Sequence, residues 1–250
     1  MQAALQVDNL TVSYDRGPVV RDVSFSVDPG ELVGVVGPNG AGKSSMLKAM
    51  IGAMDLDRGR VRVFGDEGRA AKRRITYVPQ RGEVDWDFPV TVEDVVAQGR
   101  YGEVGLLGRF SSEDREIVED SLQMVGITDL VDRQIGELSG GQKQRVFLAR
   151  ALAQQGDVYL LDEPFVGVDA TTEEAIVDVL RALGDDGKAV LVVHHDLSTI
   201  HEYFEKVLLM NVDLIGFGPV DQVFTEENLQ QTYGGRLTVL DQGNVTVLAG

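Results

Sequence analysis

Gly37-Pro38-Asn39-Gly40-Ala41-Gly42-Lys43-Ser44 is the stretch on which the reading turns, and it satisfies the phosphate-binding pattern G-x-x-x-x-G-K-[ST] at every position. Immediately before it, Glu31-Leu32-Val33-Gly34-Val35-Val36 is a short apolar run of the kind that forms a buried strand. Immediately after it, Ser45-Met46-Leu47-Lys48-Ala49-Met50-Ile51 carries apolar residues at helical spacing. The residue types explain the chemistry. Glycines at 37, 40 and 42 open backbone conformations closed to other residues, so successive N–H groups turn inward as an anion nest. The helix beginning near Gly42 adds the positive end of its dipole. Lys43 is a mobile point charge for terminal phosphates, and Ser44 places a hydroxyl where it can ligate Mg²⁺.

The bulk numbers narrow the class. A chain of 250 residues is one large domain or a core with a smaller insert. Its 43% hydrophobic content is that of an ordinary globular protein with a sizeable core. The net charge of −17 argues against nucleic-acid binding and against direct attachment to anionic lipid. There is no Cys, which excludes disulfides, thiol catalysis and thiolate metal sites. The first residues, Met1-Gln2-Ala3-Ala4-Leu5, lack the basic segment and apolar core of a signal peptide. No run approaches the roughly 20 apolar residues needed to span a bilayer. The expectation is a soluble, cytosolic protein whose membrane role, if any, runs through a partner.

Outward from the loop, Leu5, Val7, Leu10, Val12 and Tyr14 suggest a strand of mixed periodicity, and Val23-Ser24-Phe25-Ser26-Val27 alternates as a half-buried antiparallel strand does. Asp28-Pro29-Gly30 is a turn. An antiparallel start feeding a buried strand implies a mixed sheet. Tyr14 is either an aromatic that stacks on a nucleotide base or an amphipathic sheet residue. Arg60-Val61-Arg62-Val63-Phe64-Gly65 alternates again, and Ile75-Thr76-Tyr77-Val78-Pro79-Gln80 is a strand closed by a proline. Gln80 at that strand end is a neutral-amide ligand for Mg²⁺ or loop surface.

From about 87 to 155 the pattern is helical. Thr91 suits the N-cap of a helix over 92–100, and Ser111 opens another with Val118, Leu122 and Val125 on one face. Residues 99–108 read as a glycine-rich loop between them. Trp86, the only Trp, marks the entrance to this insert and, with Phe88 and Pro89, is a packing residue or an anchor for a partner. Leu138-Ser139-Gly140-Gly141-Gln142 then precedes a helix over 142–154. That is either a second anion-binding N-terminus or a Ser cap with glycines easing the turn.

Val158-Tyr159-Leu160-Leu161-Asp162-Glu163-Pro164 is a buried strand ending in two acids, at the edge where α/β sheets bind ligands. Asp162 is placed to hold Mg²⁺ and Glu163 to orient and deprotonate a water. Thr171 to Glu174 reads as a capping box, with Gly184 ending that helix. Ala189-Val190-Leu191-Val192-Val193 is another apolar strand, followed by His194-His195-Asp196. A His there can contact a terminal phosphate or bind a metal, but neighbouring residues on a strand point to opposite faces, so the two cannot readily share an ion. Segments 207–210 and 214–217 read as a hairpin, 226–233 as a last helix, and 237–240 with 245–248 as a further hairpin.

The phosphate loop, Leu138-Ser139-Gly140-Gly141-Gln142 and Leu160-Leu161-Asp162-Glu163-Pro164, in this order, resemble the ATP-binding-cassette ATPases over nearly the whole chain. The resemblance implies a P-loop NTPase (RecA-like) α/β core with a mixed central sheet, an N-terminal antiparallel β part and an inserted helical subdomain. The implied division is core at 1–86 and 156–225, signature subdomain at 87–155 and C-terminal extension at 226–250. It implies ATP contacts from residues 37–45 (Gly37, Pro38, Asn39, Gly40, Ala41, Gly42, Lys43, Ser44 and Ser45), adenine stacking by Tyr14, and Mg²⁺ held by Ser44, Gln80 and Asp162. It further implies Glu163 as catalytic base, His195 rather than His194 as the switch histidine, and Asp169 in a loop crossing a dimer interface. In such a homodimer, Ser139 and its neighbours complete the ATP site of the partner subunit. Val166-Gly167-Val168 departs from the more polar stretch many members carry there.

The segments Val84-Asp85-Trp86-Asp87-Phe88-Pro89, Gly99-Arg100-Tyr101-Gly102, Phe165-Val166-Gly167-Val168-Asp169 and Val193-His194-His195-Asp196-Leu197 are similar to the branch serving manganese, zinc or iron-chelate importers. That implies an ATPase subunit on the inner face of the cell membrane, working with a separate permease and an extracytoplasmic metal-binding protein. The alternatives are a cassette for another solute, an exporter, which often fuses membrane helices to the cassette, and a non-transport cassette ATPase. The last would call for a long coiled-coil insert or a second cassette.

Overall fold

The computed structural model describes residues 2–14, 17–80, 89–105, 108–234, 237–240 and 244–247. The chain runs β1 (Leu5–Tyr14), β2 (Gly17–Val27), β3 (Leu32–Val36), α1 (Lys43–Ile51), β4 (Arg58–Val63), β5 (Asp66–Glu67), α2 (Gly68–Arg73) and β6 (Ile75–Val78). A helical stretch follows: α3 (Val92–Ala97), α4 (Tyr101–Val104), α5 (Ser112–Met124) and α6 (Gly140–Ala153). Then come β7 (Val158–Asp162), α7 (Ala170–Asp185), β8 (Ala189–Val193), α8 (Ile200–Tyr203), β9 (Lys206–Asn211), β10 (Asp213–Pro219), α9 (Val220–Val223) and α10 (Glu226–Tyr233). A separate hairpin of β11 (Leu237–Leu240) and β12 (Asn244–Val247) ends the described residues. Trp86 and residues 84–88, expected at the entrance to the insert, lie outside them.

Ten strands form one sheet in the order β5-β4-β1-β2-β10-β9-β3-β8-β7-β6. The first four are antiparallel neighbours, while β9-β3-β8-β7-β6 are parallel. The two halves meet where β10 pairs with β2 at Asp213 and Arg21, a contact also carried by an Arg21–Asp213 ion pair of 3.1 Å. The mixed sheet expected from the sequence is thus present. β1's mixed periodicity has a local cause: its register with β2 shifts between Val7 and Leu10 and again before Val12, around Asn9 at φ 49°. Each shift turns the next side chains over relative to the pleat.

The central strands are buried on both faces, as their unbroken apolar runs require. Alternation sorts their side chains. Val33, Val35, Val158, Leu160, Leu191 and Val193 pack toward α1, with Met46, Leu47 and Met50. Leu32, Val36, Tyr159, Leu161, Val190 and Val192 pack toward α6 and α7, with Leu148, Leu152, Ile176 and Leu180. The apolar faces of α3, α5 and α6 belong to this second cluster, so the helical stretch shares its core with one face of the sheet.

Helix ends correct several expectations. Thr91 and Ser111 do cap α3 and α5, each in a capping box with the Asp three residues on. The 92–100 helix, however, tightens to a 3₁₀ turn after Ala97, and residues 101–104 of the expected loop form α4. α6 starts at Gly140, two residues earlier than its apolar spacing suggests. The cap of α7 is Asp169, whose carboxylate accepts from the Thr172 N–H at 2.9 Å, and not Thr171. The Asp169 carboxylate takes the open N–H, which places Thr171 inside the helix. Gly184 does not end α7 either; it sits against Gly30, where a Cβ would meet the Gly30 carbonyl at 3.1 Å. The left-handed residue past the helix is Gly187, at φ 77°.

Arg100 joins three parts of the helical stretch. Its buried guanidinium donates to Asp114 Oδ1, to the Ala153 carbonyl at the end of α6, and to Gln155 Oε1, each at 3.0 Å. The Ser111 cap and this guanidinium together hold the Asp114 carboxyl at about 2. Gly99, just before it, is packed so closely that a Cβ would lie 2.4 Å from the Arg150 carbonyl. Gly99→Ala therefore overpacks this junction and should cost about 1–3 kcal/mol, seen as a lower urea midpoint at unchanged slope.

Candidate functional site

The carboxyl ends of β3, β8 and β7 lie side by side, so the loops that follow them share one edge of the sheet. The loop after β3 is 37–42, and its seat is set by two glycines. A Cβ at Gly42, which has φ 92°, would lie 2.1 Å from the Val19 carbonyl of β2, and one at Gly37 would lie 2.1 Å from the Met210 carbonyl of β9. No other residue type tolerates that approach. The loop is pinned further by the Val212 N–H, which donates to the Ala41 carbonyl at 2.9 Å.

Lys43, first residue of α1, is buried, and its ammonium donates to the Gly37 and Pro38 carbonyls at 2.7 and 3.0 Å. Burial pulls its pKa down, opposed by the nearby carboxylates of Glu163 and Asp162. The next residue reaches β7: Ser44 Oγ donates to Asp162 Oδ1 at 3.0 Å. The alternation explains this pairing, because Asp162 shares the α1-facing side with Val158 and Leu160. Asp162 is fully buried, and the Tyr77 hydroxyl of β6 donates to its other oxygen at 3.3 Å.

Glu163 leaves the strand at φ 51°, a left-handed conformation uncommon for a residue with a side chain. Its Oε2 accepts from the Gln80 amide at 2.7 Å. Gln80 and Glu163 line a cleft of about 450 Å³ together with Tyr14, Val19 and residues 39–45. The structure thus brings Tyr14, Asn39, Gly40, Ala41, Gly42, Lys43, Ser44, Ser45, Gln80 and Glu163 to one place. Tyr14 stands at its rim, 57% exposed, its hydroxyl on Met54 Sδ at 3.4 Å.

The two histidines diverge, as strand geometry requires. His194 is buried against Phe165, Tyr203 and Phe204, while His195 is exposed two residues beyond the Asp162–Val193 pair. Leu138 to Gln142 are not among the residues lining the cleft. Ser139 caps α6 and exchanges hydrogen bonds with Gln142, as one of its two sequence readings holds. Gly141 lies against Thr172 of α7, so the turn at Ser139 and the Asp169 cap are packed together. Two residues of the site were not singled out in the sequence: Val19 falls in the part of β2 before its clean alternation, and Tyr77 looks like any strand aromatic. His194, weighed there beside His195, is not among the residues lining the cleft.

Serine hydroxyl and carboxylate oxygens 3.0 Å apart, with a glutamine amide nearby, form a hard-oxygen donor set. It suits Mg²⁺, which takes one or two carboxylates and completes its shell with phosphate and water. A glycine nest, a buried lysine and a dipole-bearing helix suit the phosphates themselves.

The sequence profile of the ABC transporter family matches residues 20–166. The chain belongs to the ABC transporter family. It is a cassette of the kind that binds nucleotide and hydrolyses ATP. It is 52% identical to the manganese transport system ATP-binding protein MntB of Bacillus subtilis over 94% of each chain. It is 52% identical to the zinc transport system ATP-binding protein TroB of Treponema pallidum, over 96% of this chain and 91% of the relative. The chelated iron transport system membrane protein YfeB of Yersinia pestis is 49% identical over 93% of this chain and 80% of its own. Among solved structures, an ABC transporter in an inward-facing conformation superposes with a TM-score of 0.82 at 27% identity, over 93% of this chain and 89% of that one. No helix among the described residues of the cassette is long and apolar enough to cross a membrane.

One cassette property is testable through acid stability. Burial, with His195 adding to it, pushes the His194 imidazole down to about 4 from its ordinary 6.5, while Asp196 opposes. The folded chain refuses a proton that the unfolded chain takes up below pH 6.5, so stability is full above 6.5 and declines toward pH 4. The loss is on the order of 3 kcal/mol. His194→Phe should remove that part of the decline in urea midpoints measured from pH 7.5 to 4.5.

Proposed function

We propose that this cassette is the ATP-hydrolysing subunit of a metal-ion importer, working as a homodimer beneath a separate permease. The observation that carries the hydrolytic half is the cleft where Lys43, Ser44, Gln80 and Glu163 meet, with Asp162 hydrogen-bonded to Ser44. Support for the transported class is the high identity, over nearly the whole chain, to ATP-binding subunits named for manganese and zinc transport. The iron-chelate relative keeps that third cargo within the reading. The cargo itself crosses through the permease, supplied by an extracytoplasmic binding protein, and meets no residue of this chain.

Within the site, residues 37–45 cradle the phosphates and Tyr14 lies against adenine. Ser44, Asp162 and Gln80 hold Mg²⁺, which supplies positive charge to the phosphate oxygens. Glu163 orients the attacking water and takes its proton, and His195 contacts the terminal phosphate. Leu138, Ser139, Gly140, Gly141 and Gln142 close over the ATP of the partner subunit, beside the Asp169 loop. Two features favour action across the dimer: the α6 N-terminus lies outside its own chain's cleft lining, and it is packed on the helix that Asp169 caps. The division into core (1–86, 156–225), helical subdomain (87–155) and extension (226–250) belongs to the same reading, as does a peripheral place on the inner face of the membrane.

Glu163→Gln should bind ATP as the parent does and lose roughly 10²–10⁴-fold in turnover. Light scattering should then find the ATP-loaded variant as a dimer; parental turnover would remove Glu163 as the base. Ser139→Arg places a bulky cation at the α6 N-terminus. It should leave ATP binding to the monomer intact while abolishing both dimer and turnover, and undiminished ATPase activity would falsify the shared site.

A further inference from the structure

We infer that His194 is a positioning residue for ATP hydrolysis: its imidazole, as the neutral Nε2–H tautomer, braces the loop that carries Glu163 against the turn that follows His195. The inference rests on the proposed roles of Glu163 and His195 and extends them to a residue that touches neither nucleotide nor water.

The parity of β8 turns His194 toward the α7 side of the sheet, and its N–H donates to the Val35 carbonyl of β3 at 3.0 Å, carrying the strand pairing up to it. Its ring is 1% exposed and stands edge-on to Phe165, with centroids 5.3 Å apart at 87°. Phe204 and Tyr203 complete the enclosure, at 5.5 and 6.0 Å. A cage of three aromatic rings would be filled at less cost by a fourth hydrocarbon ring, since two ring nitrogens must be taken out of water. What the imidazole adds is a hydrogen bond: Nε2 lies 2.7 Å from Thr199 Oγ1.

The hydrogen bonds around that contact favour one placement of its proton. The Thr199 hydroxyl has one hydrogen, and the Asp196 carbonyl at 3.3 Å is an acceptor for it. With that hydrogen engaged there, Nε2 donates to Thr199 and Nδ1 is the acceptor nitrogen. Nδ1 has no hydrogen-bond partner among the described residues. A lone pair left bare in an apolar cage costs less than a bare N–H, which favours this tautomer again.

The mechanical consequence follows from what each contact holds. Thr199 closes the Leu197–Thr199 turn back on Asp196, which also caps that turn through the Ser198 N–H at 2.9 Å. His195 therefore sits between two anchored neighbours, His194 and Asp196. On the other side, Phe165 lies two residues past Glu163, whose left-handed backbone has to be held by its surroundings. β7 and β8 are level at Asp162 and Val193, so the two loops leave the sheet together. The His194 ring touches both, through Phe165 on one and Thr199 on the other.

The test is steady-state ATPase kinetics on the full chain with paired variants. Thr199→Val removes the acceptor, Thr199→Ser retains it, and His194→Phe keeps the cage filled while deleting the donor. Glu163→Gln and His195→Ala report on the roles assumed. His194→Phe and Thr199→Val should each lower kcat by about tenfold or more, with KM for ATP unchanged and cooperative thermal unfolding retained, and Thr199→Ser should restore kcat. Long-range ¹H–¹⁵N spectra of the parent should show His194 protonated at Nε2 and bare at Nδ1. Parental kcat in both His194→Phe and Thr199→Val, with Glu163→Gln and His195→Ala inactive, overturns the inference; so does a proton on Nδ1. Turnover surviving in Glu163→Gln and His195→Ala overturns instead the roles beneath it, and the inference with them.

Discussion

The hydrogen bond from Ser44 Oγ to Asp162 Oδ1 joins two segments 118 residues apart, and the rest of the site is arranged around it. It exists because β3 and β7 run parallel with only β8 between them, and because Asp162 has the same parity as Val158 and Leu160. One residue of slip in β7 would turn Asp162 to the α7 side and bring Leu161 toward Ser44. The complete burial of β7 and β8 makes such a slip costly, so the burial of the strands is what fixes the position of the carboxylate. Stability and chemistry are the same constraint here.

The phosphate loop depends on the other half of the sheet in a similar way. Gly42 and Gly37 pass within bare-backbone distance of Val19 and Met210, so β2 and β9 form the wall against which the loop is moulded. Val212, left-handed at φ 65° although β-branched, is held in that strained state by two backbone bonds. Its N–H goes to the Ala41 carbonyl, and its own carbonyl accepts from Arg21. The β9–β10 hairpin thereby bridges the loop and the antiparallel strands. Cleft geometry responds to any change in how the two halves of the sheet meet.

Much of this was legible in the sequence, where local chemistry dictates local structure. The loop glycines, the four apolar residues before Asp162 and the Thr and Ser caps at 91 and 111 each announce themselves by residue type and spacing, whereas the Ser139 cap was one of two readings. The position of Gln80 at a proline-closed strand end was legible, but its pairing with Glu163 was not; the structure puts the two side chains 2.7 Å apart. Legibility failed where two local solutions compete. Asp169 and Thr171 both suit a helix start, and only the path of the chain decides that Asp169 reaches the open N–H. Gly184 looks like a helix stop but is a close-packing site against Gly30, a tertiary reason with no local signature. The bulges of β1 hid its pairing, and the role of His194 in the aromatic cage appears only once Phe165 and Thr199 are brought to it.

In the proposed site, Asp162 and Ser44 offer oxygen ligands to Mg²⁺ while the glycine nest and Lys43 hold the phosphates. These are separable contributions, and a fluorescent ATP analogue titrated into the parent and into Asp162→Asn, each with Mg²⁺ and with EDTA, separates them. The prediction is that Asp162→Asn keeps the affinity for metal-free nucleotide and loses the strengthening that Mg²⁺ gives the parent. An equal Mg²⁺-dependent gain in both proteins would contradict the assignment of this carboxylate and, with it, the arrangement built around the Ser44–Asp162 bond.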